Sequence, residues 1–175
     1  QKGRIPIILL HEKLDTQKRI NILLPIFQQR LQDTAVIKEK DWSQKDVDKI
    51  RELLVEVALF AHPKVFPSYW EHLLIASIYA RKVAEKVASP ELNQYEAEVI
   101  LLLHDFGRLI SPHRYLRNDI IETIMFRKAR VRRSLQEKLY PIFGVLGLKR
   151  FGEKPVEKME DMTLPQRIID CVDNI

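Results

Sequence analysis

The chain is predicted to fold as an all-α bundle of about six to seven helices. Three observations carry this. Apolar residues recur at three-and-four spacing almost throughout. The amphipathic stretches are separated by Ser, Thr, Asn and Pro at positions suited to helix ends. Nine prolines and five glycines in 175 residues are too few for a sandwich with many tight turns, and no segment alternates as a half-buried strand does.

A first helix is expected over roughly residues 15–33, with Ile20, Leu23, Leu24, Phe27 and Leu31 on one face. A second starts near Ser43 as N-cap and runs toward Ala61, its stripe made by Val47, Ile50, Leu53, Leu54, Val57 and Phe60. The segment His62-Pro63-Lys64-Val65-Phe66-Pro67 breaks it. Ser68 is the expected cap of a third helix ending near Ala88, with His72, Ala76, Tyr79, Val83 and Val87 sharing a face. Ser89-Pro90 closes that helix, and a fourth spans about Gln94–Asp105. Ser111-Pro112 opens a loop. Asn118 is placed as cap of a fifth helix over Asp119–Arg130, and a sixth covers about Ser134–Leu146 with a bend at Pro141. Lys149–Asp161 is polar and reads as exposed. Thr163 is expected to cap a last helix through Ile175, with Pro165 in its first turn.

Composition narrows the function classes. Hydrophobic residues make up 46% and charged residues 30%, a globular balance for one domain with a real core. The single cysteine, Cys171, excludes an internal disulfide and a thiolate zinc site, and fits a reducing, cytoplasmic setting. No run of about 18 apolar residues is present to span a membrane. The start, Gln1–Leu10, is basic and then apolar, but too short and without a small-residue cleavage site, so it is not read as a signal peptide. The missing initiator methionine and the stop inside a predicted helix read as a piece of something longer. The net charge of +5 favours polyanionic partners only weakly. Five cations fall in Arg127-Lys128-Ala129-Arg130-Val131-Arg132-Arg133, with Phe126 as the sole neighbouring aromatic; a solvated face is the stronger reading and a nucleic-acid surface the weaker one.

The chemistry concentrates at His104-Asp105, which closes the apolar run Val99-Ile100-Leu101-Leu102-Leu103 and precedes Phe106-Gly107-Arg108. Burying these two polar groups is costly unless a partner neutralises them. Gly107 is expected to end the helix in the left-handed conformation. The dyad then sits at a helix C-terminus, where the partial negative charge favours a cation. His72 on the third helix and Asp173 on the last bring two further ligand types to interior-facing positions. Singly, a histidine on an apolar stripe is more often a hydrogen-bonded core residue, and a terminal aspartate is more often exposed; the set as a whole points to a divalent metal site.

The order His72, then His104-Asp105 with Phe-Gly-Arg, then Asp173 within Arg167-Ile168-Ile169-Asp170-Cys171-Val172-Asp173 resembles the HD superfamily of metal-dependent phosphohydrolases, whose ligands run H…HD…D. The stretch PSYWEHLLIASIYARKVAEKVA looks like that family's first-histidine helix, and VILLLHDFGRL is similar to its ALLHDIGK helix. The resemblance covers about residues 62–175 and leaves 1–61 as an N-terminal helical extension. It implies His72, His104, Asp105 and Asp173 as metal ligands. Asp170 is the alternative to Asp173, which is preferred because it follows the short apolar run Cys171-Val172.

Two imidazoles and two carboxylates suit Mn, Fe, Ni, Co or Zn better than Mg. His113 is the only histidine between the dyad and the last aspartate, and Asp119 and Glu122 could assist it, but no full second-metal set is visible and one ion is expected. Asp105 is assigned to both ligation and water orientation. Arg108, in place of the family's common lysine, is assigned to the substrate phosphate. His113 in Pro112-His113-Arg114 is either a phosphate contact or general acid, or a solvated loop residue, with equal weight. The implied activity is hydrolysis of a phosphoester, a nucleotide or related small phosphate. The alternative is a non-catalytic or regulatory module that binds nucleotide or nucleic acid. His11 and His62 receive no role.

Overall fold

The computed structural model describes residues 16–59, 68–110, 124–144, 160 and 162–173. Among these, every regular element is helical and none is a strand. In chain order they are α1 (Thr16–Leu31), α2 (Gln44–Ala58), α3 (Ser68–Val87), α4 (Gln94–Leu103), α5 (Phe106–Ile110), a short helical segment at 124–128, α6 (Arg133–Gly144) and α7 (Leu164–Asp173). No described helix is long and apolar enough to cross a membrane.

α4 is the axis of the fold. Every residue from Glu96 to Leu103 is buried, so this helix has no solvent face over that span. α2, α3, α6 and α7 pack against it. Its start is fixed by Asn93, whose side-chain oxygen accepts from the Tyr95 N–H at 2.8 Å and satisfies one of the orphan donors of the first turn. The connection from α3 is short: Ala88 takes φ 49°, the left-handed cap position that lets the chain leave α3 at once.

The expected stripe of α1 holds, with Ile20, Leu23, Phe27 and Leu31 buried and Leu24 half-buried. Pro25 inside the helix is exposed. On α2, Val47, Ile50, Leu53, Leu54 and Val57 are buried as expected. Phe60 lies outside the described residues. Residues 16–58 contribute to the same hydrophobic cluster as the described helices that follow them. Phe27 of α1 meets Phe106 edge-on at 5.1 Å and also packs on Phe126 at 5.9 Å.

The inward face of α3 differs from the expected one. Leu73, Ala76, Ser77, Ala80 and Ala84 are buried, while Tyr79 and Val87 are exposed and Val83 is half-buried. The small residues face α4 because they permit close approach of the two helix axes. Ser77 is tolerated there because its hydroxyl donates to the Leu74 carbonyl at 2.8 Å. His72 therefore lies beside the buried face, half-buried, rather than on a stripe with Tyr79. Ser68 is the first residue of α3 and not a cap before it.

At the far end, Thr163 and Gln166 cap α7 reciprocally. The Thr163 N–H donates to Gln166 Oε1 at 2.8 Å, and the Gln166 N–H reaches Thr163 Oγ1 at 3.5 Å. Ile168 and Val172 are buried, and α7 packs on α3, α4 and α6. Of the expected fifth helix, residues 124–128 are helical; 119–123 and Asn118 lie outside the described residues, as do 174–175 and Lys149–Met159. The basic run is less uniform than a solvated face. Arg132 is tied down by its backbone N–H to the Val36 carbonyl at 2.8 Å, and its guanidinium lies 4.6 Å over Trp42. Phe126 is buried, so it is not offered for base stacking.

Glu96 of α4 is buried and pairs with Lys138 of α6 at 2.8 Å, and two further buried acids join the elements. Glu98 of α4 is fully buried and pairs with Arg51 of α2 and, at 3.1 Å, with Arg81 of α3. Arg81 also lies 4.9 Å over the Tyr95 ring. One carboxylate thus ties three helices together. Glu98→Ala is expected to destabilise the fold by about 2–3 kcal/mol, the low side for breaking a buried pair because both guanidiniums remain partly solvated; urea denaturation reads this directly.

Asp46 is the second. Burial alone would push its carboxyl up, but the Ser43 hydroxyl at 2.7 Å, the Ala35 N–H at 3.0 Å, Lys40 at 3.0 Å and the Ser43 N–H at 3.0 Å outweigh burial and hold it below its ordinary value. A lowered folded-state pKa stabilises above the unfolded value and is lost as pH falls through the folded one. Asp46→Asn is therefore expected to cost stability at pH 7 and to flatten the loss of stability below about pH 4. Denaturation midpoints across pH 3–7 test this.

Candidate metal centre

α4 ends at Leu103, two residues earlier than expected. His104 is its C-cap at φ −64° and ψ −33°, and α5 restarts at Phe106. Gly107 is buried inside α5, so the expected left-handed glycine stop is not what ends α4. The turn at 104–105 does so instead, and places His104 and Asp105 between two helices. The expected setting at a helix C-terminus, with its partial negative charge, is retained.

His104 is 1% exposed. Its Nδ1 lies 2.7 Å from the Leu101 carbonyl. A carbonyl only accepts, so Nδ1 carries the proton, and in the neutral form of the ring the lone pair is the one at Nε2. That nitrogen stands 3.7 Å from Asp105 Oδ2. The His72 ring, from α3, lies 5.6 Å from the His104 ring at an interplanar angle of 59°. One ligand atom from each of His72, His104 and Asp105 can be chosen so that all lie within 4.8 Å of one another.

Donor atoms at about 2.0–2.2 Å from a common ion stand at most about 4.4 Å apart. The cluster is thus near coordinating separation. Its donors are two nitrogens and a carboxylate oxygen, a set that fits a first-row divalent ion. The backbone hydrogen bond that fixes the His104 tautomer is the kind of outer support that metal-bound imidazoles carry.

Arg108 reaches back from α5. Its Nε is 3.3 Å from Asp105 Oδ1, and its guanidinium sits 5.0 Å over the Tyr69 ring. The two Asp105 oxygens therefore face different ways, one toward His104 and one toward Arg108. A cleft of about 250 Å³ is lined by Ser68, Tyr69, His72, Asp105 and Arg108. Of the side chains assigned from the sequence to metal and to phosphate, His72, Asp105 and Arg108 thus open onto one cavity.

Asp173 is the last residue of α7, which packs on the helices carrying His72 and His104; its side chain lies outside the described residues. Asp170, the alternative, is half-buried one turn earlier. His113, Asp119, Glu122, His11 and His62 lie outside the described residues. Tyr69 and Ser68 received no role in the site from the sequence, where Ser68 was read only as a helix cap. The signal for Tyr69 was its position three residues before His72, which puts both on one side of α3.

An all-helical chain with a His–His–Asp cluster at the end of its central helix is of the class that the sequence motif implied. The HD domain family model matches residues 69–175, more than half of the chain, and the chain belongs to the HD-domain family. Comparison with curated proteins and with solved structures gives no match.

Proposed function

We propose that the chain is a metal-dependent phosphohydrolase acting on a phosphoester, with a nucleotide or related small phosphate as substrate and one divalent ion among Mn, Fe, Ni, Co and Zn. The observation that carries this is the convergence of His72, His104 and Asp105, two of which, His72 and Asp105, open onto a cleft that Arg108 also lines. His72, His104 and Asp105 would hold the ion, with Asp173 as the fourth ligand. A bound ion of this kind supplies Lewis acidity toward a phosphoryl oxygen and toward water.

The chain's own residues do the rest. The Leu101 carbonyl holds the His104 ring in one tautomer and one orientation. Asp105 orients groups on its Oδ2 side while its Oδ1 anchors Arg108. Arg108 binds the substrate phosphate and stabilises charge that develops on it. His113 is assigned to the leaving oxygen as general acid, or to a phosphate contact. A small substrate is preferred to nucleic acid because the aromatic beside the basic run is buried. A cytoplasmic setting accompanies this reading, supported by the lone, exposed and free Cys171.

A panel of nucleoside mono-, di- and triphosphates, cyclic dinucleotides and generic phosphodiesters, assayed with added Mn, tests the reading. Turnover of one class that is abolished by chelator supports it. Tight binding of a nucleotide with no turnover of any compound would favour the non-catalytic module instead.

A further inference from the structure

We propose that Tyr69 is a positioning residue for the phosphate-binding arm: its ring face carries the Arg108 guanidinium and holds it beside the His72–His104–Asp105 cluster. The inference rests on the phosphohydrolase reading above.

Three contacts fix the arm. The Arg108 backbone N–H donates to the Asp105 carbonyl at 2.9 Å. Nε meets Asp105 Oδ1 at 3.3 Å, and the guanidinium carbon stands 5.0 Å above the Tyr69 ring centre. Asp105 thus takes the Nε edge of the fork. The Nη edge is the one that matches two oxygens of a phosphate. An unsupported arginine in a cleft loses much rotamer freedom when it binds an anion. Docking it on an aromatic face beforehand removes part of that cost.

Tyr69 is itself held. It is half-buried on the first turn of α3, packs against the hydrophobic core and meets the His72 ring edge-on at 6.3 Å, 79° from parallel. The ring therefore stands nearly perpendicular to a candidate metal ligand and carries the phosphate arm on its face. Its own chemistry is not needed for either contact, since the π face does the holding; phenylalanine would serve as well.

The test uses the full chain loaded with Mn and measures inorganic phosphate binding by calorimetry, with Mn affinity measured separately. Tyr69→Phe is expected to bind phosphate within about two-fold of the wild type. Tyr69→Leu, which keeps the apolar body and loses the π face, is expected to bind it about three- to ten-fold more weakly. Mn affinity should stay within about two-fold in both. In an Arg108→Ala background, Tyr69→Leu should have no further effect on phosphate, because the residue it positions is gone. Tyr69→Met provides a second variant without a π face should the leucine form not fold.

Phosphate binding unchanged in Tyr69→Leu would overturn the proposal alone. So would an equal loss in the Arg108→Ala background, or a parallel loss of Mn affinity, either of which would mark a structural role. Failure of the Mn-loaded wild type to bind phosphate at all would overturn the phosphohydrolase reading and this inference with it.

Discussion

Asp105→Ala is expected to lower metal affinity by more than about a hundred-fold and to abolish phosphoester turnover, while the helical fold persists. Replacing a partner outside the coordination sphere already costs a metal site about 10- to 100-fold, and a direct ligand should cost more. Asp105 stands at the end of α4 with one oxygen toward His104, inside a cluster whose ligand atoms gather within 4.8 Å. The fold does not depend on it. Leu101, Leu102, Leu103 and Phe106 on either side are fully buried and continue to pack. Circular dichroism should therefore be unchanged while elemental analysis shows the loss. Asp105→Asn separates charge from shape, since it keeps one oxygen in place but removes the negative charge that a cation would meet. Unchanged metal content in Asp105→Ala would remove Asp105 from the ligand set.

Arg108→Ala is expected to act on turnover rather than on metal. Arg108 lines the cleft but offers no lone pair to an ion. Its guanidinium is suited to charge that develops on a phosphoryl group, and deleting such a group costs about ten- to a thousand-fold in rate. Bound metal should stay nearly intact, within the small change that follows from freeing Asp105 Oδ1 of its ion pair. Arg108→Lys tests the fork: lysine keeps the charge but has no planar edge to stack on Tyr69 or to meet two oxygens, so only part of the rate should return. A parallel loss of metal and rate in Arg108→Ala would assign Arg108 to the support of Asp105 instead. His113→Ala is the companion variant, with a loss similar to or smaller than that of Arg108→Ala if it is the acid and almost none if it is a surface residue.

The sequence carried the fold because helical periodicity is a local signal. Ile20, Leu23, Phe27 and Leu31, and likewise Val47, Ile50, Leu53 and Leu54, are buried where the spacing put them. His104-Asp105 was legible for the same reason, as two polar residues closing an apolar run. What depends on a neighbouring helix was not legible. The buried face of α3 is made by Ala76, Ala80 and Ala84, small residues that matter only because α4 lies against them. Glu98 received no reading from the sequence, because its partners, Arg51 and Arg81, sit on two other helices. Gly107 was read by residue type as a stop, whereas α4 had already ended at Leu103 and the glycine is buried in the next helix. Tyr69 shows the intermediate case. Its spacing from His72 was visible, but its contact with Arg108 exists only because α5 folds back across the start of α3.

The claim that everything else rests on is a single divalent ion held by His72, His104 and Asp105. Anomalous scattering at the Mn edge from crystals of the Mn-loaded protein tests it most directly. The expected result is one peak within about 2.0–2.3 Å of a His72 nitrogen, His104 Nε2 and an Asp105 oxygen. A peak elsewhere in the molecule, or His104 bound through Nδ1 with its bond to Leu101 broken, would contradict it.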